Sequence, residues 1–427
     1  MNRIIKQRIE QIRRGEVPKG YKKIKVGIVP VEWKETCFNK LFSRLNRKNV
    51  ENNDNVLTIS AQYGLIKQNH FFNKSIASDD KADYFLIHKG DFAYNKSYSK
   101  GYPYGAIKRL EQYDNGIVSP LYICFSPSEI NQCPEFYLQY FEAGLMNREL
   151  HAIAQEGARN HGLLNISVDD FLKSCLLLPS IAEQQKIANI LSTQDKLIAL
   201  KEKLIEEKKR QKKCLMQQLL TGKKRLEGFS KSWKFERMQN ILIERKETNI
   251  NQDLRICSVA VSEGVVDQVE HLGKSMAAAN TSNYNVVHYG DIVYTKSPTG
   301  EFPYGIIKQS QLREHVAVSP LYGVYEPKYY ELGYLLNEYF MYSNNSNRYL
   351  LPIISKGAKN TINISNSTFV TPSLFFPSDY NEVVALAAIF KAANKEIDLL
   401  QKDLQKEIEK QKALMQLLLT GIVRVNV

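Results

Sequence analysis

Residues 88–127 read HKGDFAYNKSYSKGYPYGAIKRLEQYDNGIVSPLYICFSP, and residues 288–327 read HYGDIVYTKSPTGEFPYGIIKQSQLREHVAVSPLYGVYEP. Without a gap, 17 of the 40 aligned positions are identical. The match extends upstream to Trp33 and Trp233, and downstream to LMQQLLTG (215–222) and LMQLLLTG (414–421). The chain therefore consists of two tandem copies of a unit of about 200 residues, and this duplication decides its fold.

Each copy begins with a globular part whose apolar runs are short, β-branched or aromatic, and bounded by turn residues, which predicts strands. Gly90 and Asp91 stand between two such runs, 84–88 and 92–94, as Gly290 and Asp291 do in the second copy, and this arrangement predicts a hairpin. Segments 135–155 and 329–342 have the apolar spacing of helices, so the expected class of the globular parts is α+β.

Each copy ends in a long helix. Ser180 followed by Glu183 is a capping-box signature, and no Gly or Pro occurs from 182 to 220. Each helix has roughly 39 residues and is therefore ~60 Å long. Apolar residues recur every seven positions, which predicts a coiled-coil seam of Leu191, Ile198, Ile205 and Leu219 in the first helix and Phe390, Ile397, Leu404 and Leu418 in the second. Because such polar helices are marginal alone, we expect them to pair antiparallel, with the two copies related by a pseudo-twofold axis.

These features divide the chain into a basic N-terminal arm (1–23), a first globular domain (24–178), a first long helix (179–225), a second globular domain (226–377) and a second long helix (378–427). The net charge is +13. All of it lies in the arm (+6) and the first helix segment (+7). Two interpretations fit this location of the positive charge. The arm or the first helix contacts phosphates or an acidic partner, or the charges form a helix face that is exposed to solvent.

Several classes are excluded by what the sequence lacks. No uncharged apolar window of 18 residues and no signal peptide occur, so we expect a cytoplasmic protein. The six cysteines form no C-x-x-C pair, which argues against a disulfide framework or a cysteine zinc site. No complete P-loop, dinucleotide fingerprint, G-x-S-x-G or aminomethyltransferase N/D-P-P-Y/F/W tetrapeptide is found, so we expect no catalytic site.

Four motifs carry a family resemblance. The N-terminus holds PKGY (18–21) and GIVPVEW (27–33), the first long helix opens with LPSIAEQQKI (178–187), and both helices end in LLTG or LLLTG. In this order the chain resembles the specificity subunit of type I restriction–modification systems over essentially its whole length.

The resemblance implies that each globular part is a target recognition domain that reads one half of a split double-stranded DNA site. The long helices would form a spacer that fixes the separation of the half-sites and docks two methyltransferase (modification) subunits. S-adenosylmethionine would bind to those subunits, which methylate adenine, and ATP and Mg would bind to partner subunits, including the restriction subunits that translocate and cleave. This chain itself would have no active site and no cofactor. The second helix opens with PSDYNE (377–382), so the two docking sites would be unequal.

The repeat also predicts where DNA contacts lie. Polar residues present in both copies cannot set different half-site sequences, so they should hold phosphates or the fold, and those near turns are Lys96, Ser97, Arg159 and Asn160 in the first copy and Lys296, Ser297, Lys359 and Asn360 in the second. Residues that differ within the matched loops should set base preference, namely Tyr98, Ser99, Lys100 and His161 against Pro298, Thr299, Gly300 and Thr361. The matched Tyr94, Tyr294, Trp33 and Trp233 are expected in the core.

A second hypothesis is a two-headed scaffold whose coiled coil spaces two protein-binding modules without DNA specificity. An unrecognised enzyme is a third. DNA retardation with and without a methyltransferase subunit separates the first two.

Overall fold

The structure, a computed structural model, describes residues 3–25, 27–71, 81–99, 101–128, 132–154, 164–274, 276–356 and 362–426. The chain forms two compact units. The first unit comprises Met1–Lys201 and Asp403–Val427, and the second comprises Glu202–Lys402. Each unit therefore contains one globular part, half of the first long helix and half of the second.

The helices and strands up to the end of the first long helix are α1 (Arg3–Arg13), β1 (Tyr21–Ile24), β2 (Gly27–Pro30), β3 (Lys34–Cys37), α2 (Phe38–Leu41), β4 (Phe42–Leu45), β5 (Leu57–Ser60), β6 (Gly64–Lys67), α3 (Gln68–Phe71), β7 (Phe85–His88), β8 (Phe92–Asn95), β9 (Ala106–Arg109), β10 (Asn115–Val118), β11 (Ile123–Pro127), α4 (Pro134–Glu142), α5 (Asn147–Ile153), α6 (Val168–Lys173), β12 (Cys175–Leu178) and α7 (Ile181–Leu219).

The remaining elements are β13 (Lys234–Arg237), a 3-10 turn (Met238–Asn240), β14 (Leu242–Glu244), β15 (Cys257–Ala260), β16 (Gly264–Asp267), α8 (Gln268–Leu272), β17 (Asn285–Val287), β18 (Ile292–Tyr294), β19 (Ile307–Gln309), β20 (Val316–Val318), β21 (Gly323–Pro327), α9 (Tyr330–Phe340), α10 (Ser343–Leu350), a second 3-10 turn (Leu351–Ile353), β22 (Ser355–Lys356), β23 (Ile362–Asn363), α11 (Asn366–Phe369), β24 (Ser373–Phe376) and α12 (Tyr380–Leu418).

The two globular parts have the same sheet topology, which confirms the tandem repeat and the α+β class. In the first unit a four-stranded antiparallel sheet has the order β4-β11-β8-β9, and in the second the order is β14-β21-β18-β19. The smaller pairs also correspond: β7 with β10 matches β17 with β20, β5 with β6 matches β15 with β16, and β3 with β12 matches β13 with β24.

The hairpins expected around Gly90-Asp91 and Gly290-Asp291 are wrong, and in the second copy β17 pairs with β20 whereas β18 pairs with β19 and β21. Strand β7 pairs with β10, whereas β8 pairs with β9 and β11, so the chain changes sheets at this point. The Asp91 carboxylate explains the change of direction, because it accepts a hydrogen bond from the His88 backbone N–H at 2.8 Å and also binds Arg47. Asp291 does the same with the His288 N–H at 2.8 Å. This aspartate therefore fixes a corner.

The core of each globular part continues onto the ends of the long helices. In the first unit, Phe38, Phe92 and Phe125 cluster with Leu191 of α7 and Leu418 of α12. In the second unit the corresponding cluster includes Leu219 of α7 and Phe390 of α12. Four of the predicted seam residues thus pack against a globular part. The other four predicted seam residues lie nearer the middle of each helix. Of these, Ile205 and Ile397 are buried, and Ile198 and Leu404 are half-buried.

The pairing of the two long helices is confirmed, and it is antiparallel. In the first unit the Gln194 side chain donates to Glu407 Oε2 at 2.7 Å, and Lys201 forms an ion pair with Asp403. In the second unit Lys208 Nζ lies 2.6 Å from Glu396 Oε1. As the residue number rises along α7, the number of the partner falls along α12, which is the signature of antiparallel helices.

A buried carboxylate anchors the start of each long helix. The Ser180 hydroxyl caps α7 by accepting a hydrogen bond from the Glu183 N–H at 3.3 Å, as the capping-box pattern predicts. The Glu183 side chain, however, accepts the Trp33 indole N–H at 3.2 Å and two bonds from the Arg424 guanidinium at 2.6 and 2.9 Å. A bidentate, charge-assisted pair is stronger than a bond to a helix-terminal N–H, which explains the difference. We call Trp33, Glu183 and Arg424 the first anchor.

The second unit repeats this arrangement with Trp233, Glu382 and Arg225, which we call the second anchor. Glu382 accepts the Trp233 indole N–H at 3.0 Å and two guanidinium bonds from Arg225, each of 2.7 Å. Both glutamates are fully buried. Each anchor therefore joins a globular part to the start of one long helix and to the residues that follow the end of the other. Both tryptophans are buried, as the sequence predicts.

Replacing Gly105 with alanine should destabilise the first unit by about 3 kcal/mol, because the residue has φ +81° and a Cβ atom would lie 2.2 Å from the Asn95 carbonyl oxygen. Gly101 is the matched control, since it also has positive φ, +89°, but no atom within 4 Å of a Cβ. Gly101→Ala should cost about 1 kcal/mol. Urea unfolding of both variants measures the difference, and equal losses would contradict the steric explanation.

Candidate DNA interface

The matched Pro-Tyr-Gly segments lie at the end of the β8–β9 loop in the first unit and of the β18–β19 loop in the second. The Tyr94 hydroxyl donates to the Tyr104 carbonyl at 2.6 Å, and the Tyr294 hydroxyl donates to the Tyr304 carbonyl at 2.8 Å. Both tyrosines are fully buried, and burial raises the pKa of each phenol. They lie in the core, as the sequence predicts, and they give the loops β8–β9 and β18–β19 the same frame.

The two lysines predicted to hold phosphates or the fold are tied to their own globular parts. Lys96 Nζ donates to the Ile166 carbonyl at 3.2 Å, and Lys296 Nζ donates to the Asn366 side-chain oxygen at 2.6 Å. Partial burial lowers the pKa of both amines. These contacts show that the matched lysines support the fold. Phosphate contact by the same lysines stays a prediction.

The neighbouring residues of both loops are more accessible. Ser97 is half-buried, and its backbone N–H donates to the Asn95 side-chain oxygen at 3.1 Å. Tyr98 is 64% exposed. In the second unit, Ser297 and Thr299 are exposed. Seven predicted residues lie outside the described residues: Lys100, Arg159, Asn160, His161, Lys359, Asn360 and Thr361.

A groove of about 1400 Å³ opens in the first unit beside the β8–β9 loop. Its walls come from the β5–β6 turn, from the β8–β9 loop and from the two long helices, with polar side chains that include Gln62, Tyr63, Ser97, Tyr98 and Lys412. The sequence interpretation found the β8–β9 loop and missed the β5–β6 turn. The available signal was the matched pair Gly64 and Gly264, which marks a turn in each copy directly after three residues that differ.

The groove meets the helices at a polar junction. The Asp195 carboxylate of α7 accepts a bond from the Gln139 side chain of α4 at 2.5 Å and another from Gln411 of α12. Burial raises the pKa of Asp195 in spite of these bonds. In the second unit the corresponding residues are Glu338 of α9, Asn394 of α12 and Lys212 of α7, so the carboxylate comes from the globular part. The Asn394 side chain donates to Glu338 at 2.9 Å, and Lys212 Nζ lies 2.7 Å from it.

This second junction contains a buried lysine whose titration is measurable. Lys308 is 3% exposed, and burial lowers its pKa to about 8, although Glu338 opposes the shift. The unfolded chain keeps this proton up to a pH near 10.5, so between pH 8 and 10.5 the unfolded state binds more protons and stability rises with pH. Relative to a Lys308→Met variant, the free energy of unfolding should increase by about 3 kcal/mol across this window. Urea unfolding of both proteins at several pH values tests this, and parallel curves would contradict it.

The described part of the chain contains neither a candidate metal site nor a candidate membrane span. No group of three His, Cys, Asp or Glu side chains within it could hold a metal ion. None of its helices has the length and apolar character needed to span a membrane.

Comparison with known families gives one match, over residues 30–210, to the type I restriction modification DNA specificity domain. No curated protein sequence matches this chain. Solved structures with a similar fold include the S subunit of a type I restriction–modification system from M. genitalium, with 13% identity, a TM-score of 0.50, and coverage of 92% of this chain and 96% of that one.

Two further structures have comparable coverage. A chain from a study of complex assembly and conformational transition of the type I R-M system is 13% identical with a TM-score of 0.54, and the match covers 92% of this chain and 99% of that one. The HsdS subunit from Thermoanaerobacter tengcongensis is 15% identical with a TM-score of 0.48, covering 92% and 98%. The two structures with TM-scores of 0.50 and 0.54 support the fold and nothing further.

Proposed function

We propose that this chain is the sequence-specific DNA-recognition subunit of a type I restriction–modification complex, because residues 30–210 match the model of the type I restriction modification DNA specificity domain. The observation that carries the proposal is the duplication of one fold, with the same four-stranded sheet order in both units. Two related but different readers on one chain suit a site with two different halves. In this proposal residues 24–178 and 226–377 are the two recognition domains.

The long helices act as the spacer in this proposal. Each globular part shares its core with the start of one helix and the end of the other, so a domain cannot turn independently of the helix pair that it contacts. An insertion in α7 near Glu206 should therefore change the distance between half-sites and leave their bases unchanged. Four residues add ~6 Å of helix, close to two base pairs of rise.

The helices also provide the surface for two modification subunits. Within the LPSIAEQQKI motif, Glu183, Gln184 and Ile187 are buried, so these positions serve the fold. Gln185 and Lys186 are exposed, and the Lys186 amine donates to the Asn426 carbonyl. The corresponding positions of the second helix are Val384 and Ala385, both half-buried. One docking face is thus polar and the other apolar, which supports two unequal docking sites.

The chain acts without catalysis of its own in this proposal. S-adenosylmethionine, ATP and Mg bind to the modification and restriction subunits, and this subunit contributes recognition. A cytoplasmic location, where chromosomal and incoming DNA are both accessible to such a complex, stays a prediction.

DNA retardation with the purified chain, alone and with a modification subunit, tests this function. We expect sequence-specific retention of duplex DNA that contains a split site, strengthened by the modification subunit, and no methyl transfer by the chain alone. The two-headed scaffold hypothesis predicts binding to the modification subunit without any preference among DNA sequences. That result, or methyl transfer by the chain alone, would contradict the proposal.

A further inference from the structure

The groove of the first unit brings together two elements that are about 35 residues apart in the chain. Gln62 and Tyr63 belong to the turn between β5 and β6, and Ser97 and Tyr98 belong to the loop between β8 and β9. Strand β6 lies beside β9, so the turn and the loop stand on neighbouring strands and face the same groove. The second unit has the same adjacency, with β16 beside β19.

These two elements differ between the copies while their frames are the same. The first turn reads Ala61-Gln62-Tyr63 and the second reads Val261-Ser262-Glu263, each followed by a glycine with φ near +80° (+77° at Gly64 and +81° at Gly264). Both turns join antiparallel strands that have the same register. A shared backbone frame whose exposed tips carry different side chains is what two readers of different sequences require.

The tips present hydrogen-bonding side chains on a stiff support. Gln62, Tyr63, Ser262 and Glu263 are exposed. The Tyr63 N–H donates to the Ser60 hydroxyl at 3.2 Å, and the Gln112 side chain donates to the Tyr63 carbonyl at 3.4 Å. The backbone of the turn is therefore fixed, and its side chains are free to meet a ligand.

We propose that residues 61–63 and 261–263 are base-reading turns, each for its own half-site, in which Gln62 reads an adenine and Glu263 reads a cytosine. The inference rests on the function proposed above. A glutamine amide pairs with the N6 and N7 atoms of adenine in the major groove, whereas a carboxylate accepts from the N4 amino group of cytosine. Reading of this kind depends on local contacts to base edges, and it is compatible with globular parts that carry no net charge.

The test is selection of DNA from a pool with randomised half-sites by the chain assembled with its modification subunit, followed by sequencing of the bound duplexes. Gln62→Glu should change the preference at one base pair of one half-site from adenine toward cytosine, with discrimination at that pair shifting at least tenfold. Glu263→Gln should change the preference at one base pair of the other half-site only, from cytosine toward adenine. Gln401→Glu makes the same chemical change as Gln62→Glu at an exposed position of α12 and should alter no base.

Each outcome decides one of the two proposals. Loss of base preference at a single base pair in Gln62→Glu also supports base reading, because the substitution removes the amide that contacts that base. If Gln62→Glu selects the same sequence as the wild type, the base-reading proposal is overturned. It is also overturned if the variant unfolds at the same urea concentration as the wild type but binds all sequences equally less tightly. If the wild-type assembly selects no sequence, the proposed function itself fails.

Discussion

Replacing Ile205 with aspartate should destabilise the second unit by about 4 kcal/mol and abolish methylation at the split site. Ile205 is 4% exposed on α7, and Ile397 of the facing helix is 8% exposed. The ion pair between Lys208 and Glu396 holds the two helices together one turn away. An aspartate at position 205 loses the apolar burial of isoleucine and places a charge with no partner in the seam.

The adjacent residue provides a matched control. Leu204 is 42% exposed, so Leu204→Asp introduces the same charge toward solvent and should cost less than about 1 kcal/mol. Hydrogen exchange of the core strands of the second unit measures both effects. Leu404, for which the sequence predicts a seam position, is half-buried, so Leu404→Asp should have an intermediate effect. Equal losses at positions 204 and 205 would contradict the seam.

Replacing Glu183 with alanine should destabilise the first unit by about 4 kcal/mol. The carboxylate is fully buried, and its removal leaves the Trp33 indole N–H without its acceptor. The Arg424 guanidinium loses both of its bonds to Glu183 and keeps only Glu32, which accepts from it at 2.8 Å. Glu183 raises the pKa of Arg424. The guanidinium stays charged even when this partner is lost, because arginine does not deprotonate in proteins. A buried indole N–H without its acceptor and a half-buried guanidinium without its bidentate partner together cost more than the intact interactions contribute.

Glu202→Ala is the control for this substitution. Glu202 is an exposed glutamate on the same helix, and its loss should change stability by no more than about 0.5 kcal/mol. Hydrogen exchange of the strands of the first unit reports the difference. Protection that falls equally in both variants would show that Glu183 acts only through helix propensity, and the anchor would then have no role in stability.

The sequence predicts the periodic features of this fold well. The seven-residue spacing of apolar residues and the stop at Thr221-Gly222 predict α7 nearly to the residue. The 200-residue repeat predicts that both globular parts have one topology, and they do. Such features are readable because they depend on residues that are close in sequence or on comparison of one copy with the other.

Features that join distant residues could not be predicted. Trp33, Glu183 and Arg424 are separated by 150 and 241 residues, and no local pattern indicates that they meet. The hairpin prediction at Gly90 failed for the same reason, because Arg47 and the strand β10 determine the corner from elsewhere in the chain. The β5–β6 turn was missed because its place in the groove depends on the neighbouring strand β9.

The most direct test of two readers on one spacer is a methylated-adenine map of a host that expresses a domain exchange. Residues 24–178 are replaced by the corresponding domain of another family member, and the variant is expressed with its modification subunit. Because each globular part has its own core and, in the proposal above, reads its own half-site, one half-site should change while the other half-site and the spacer stay as in the wild type. A map in which both half-sites change, or in which neither does, would contradict the account.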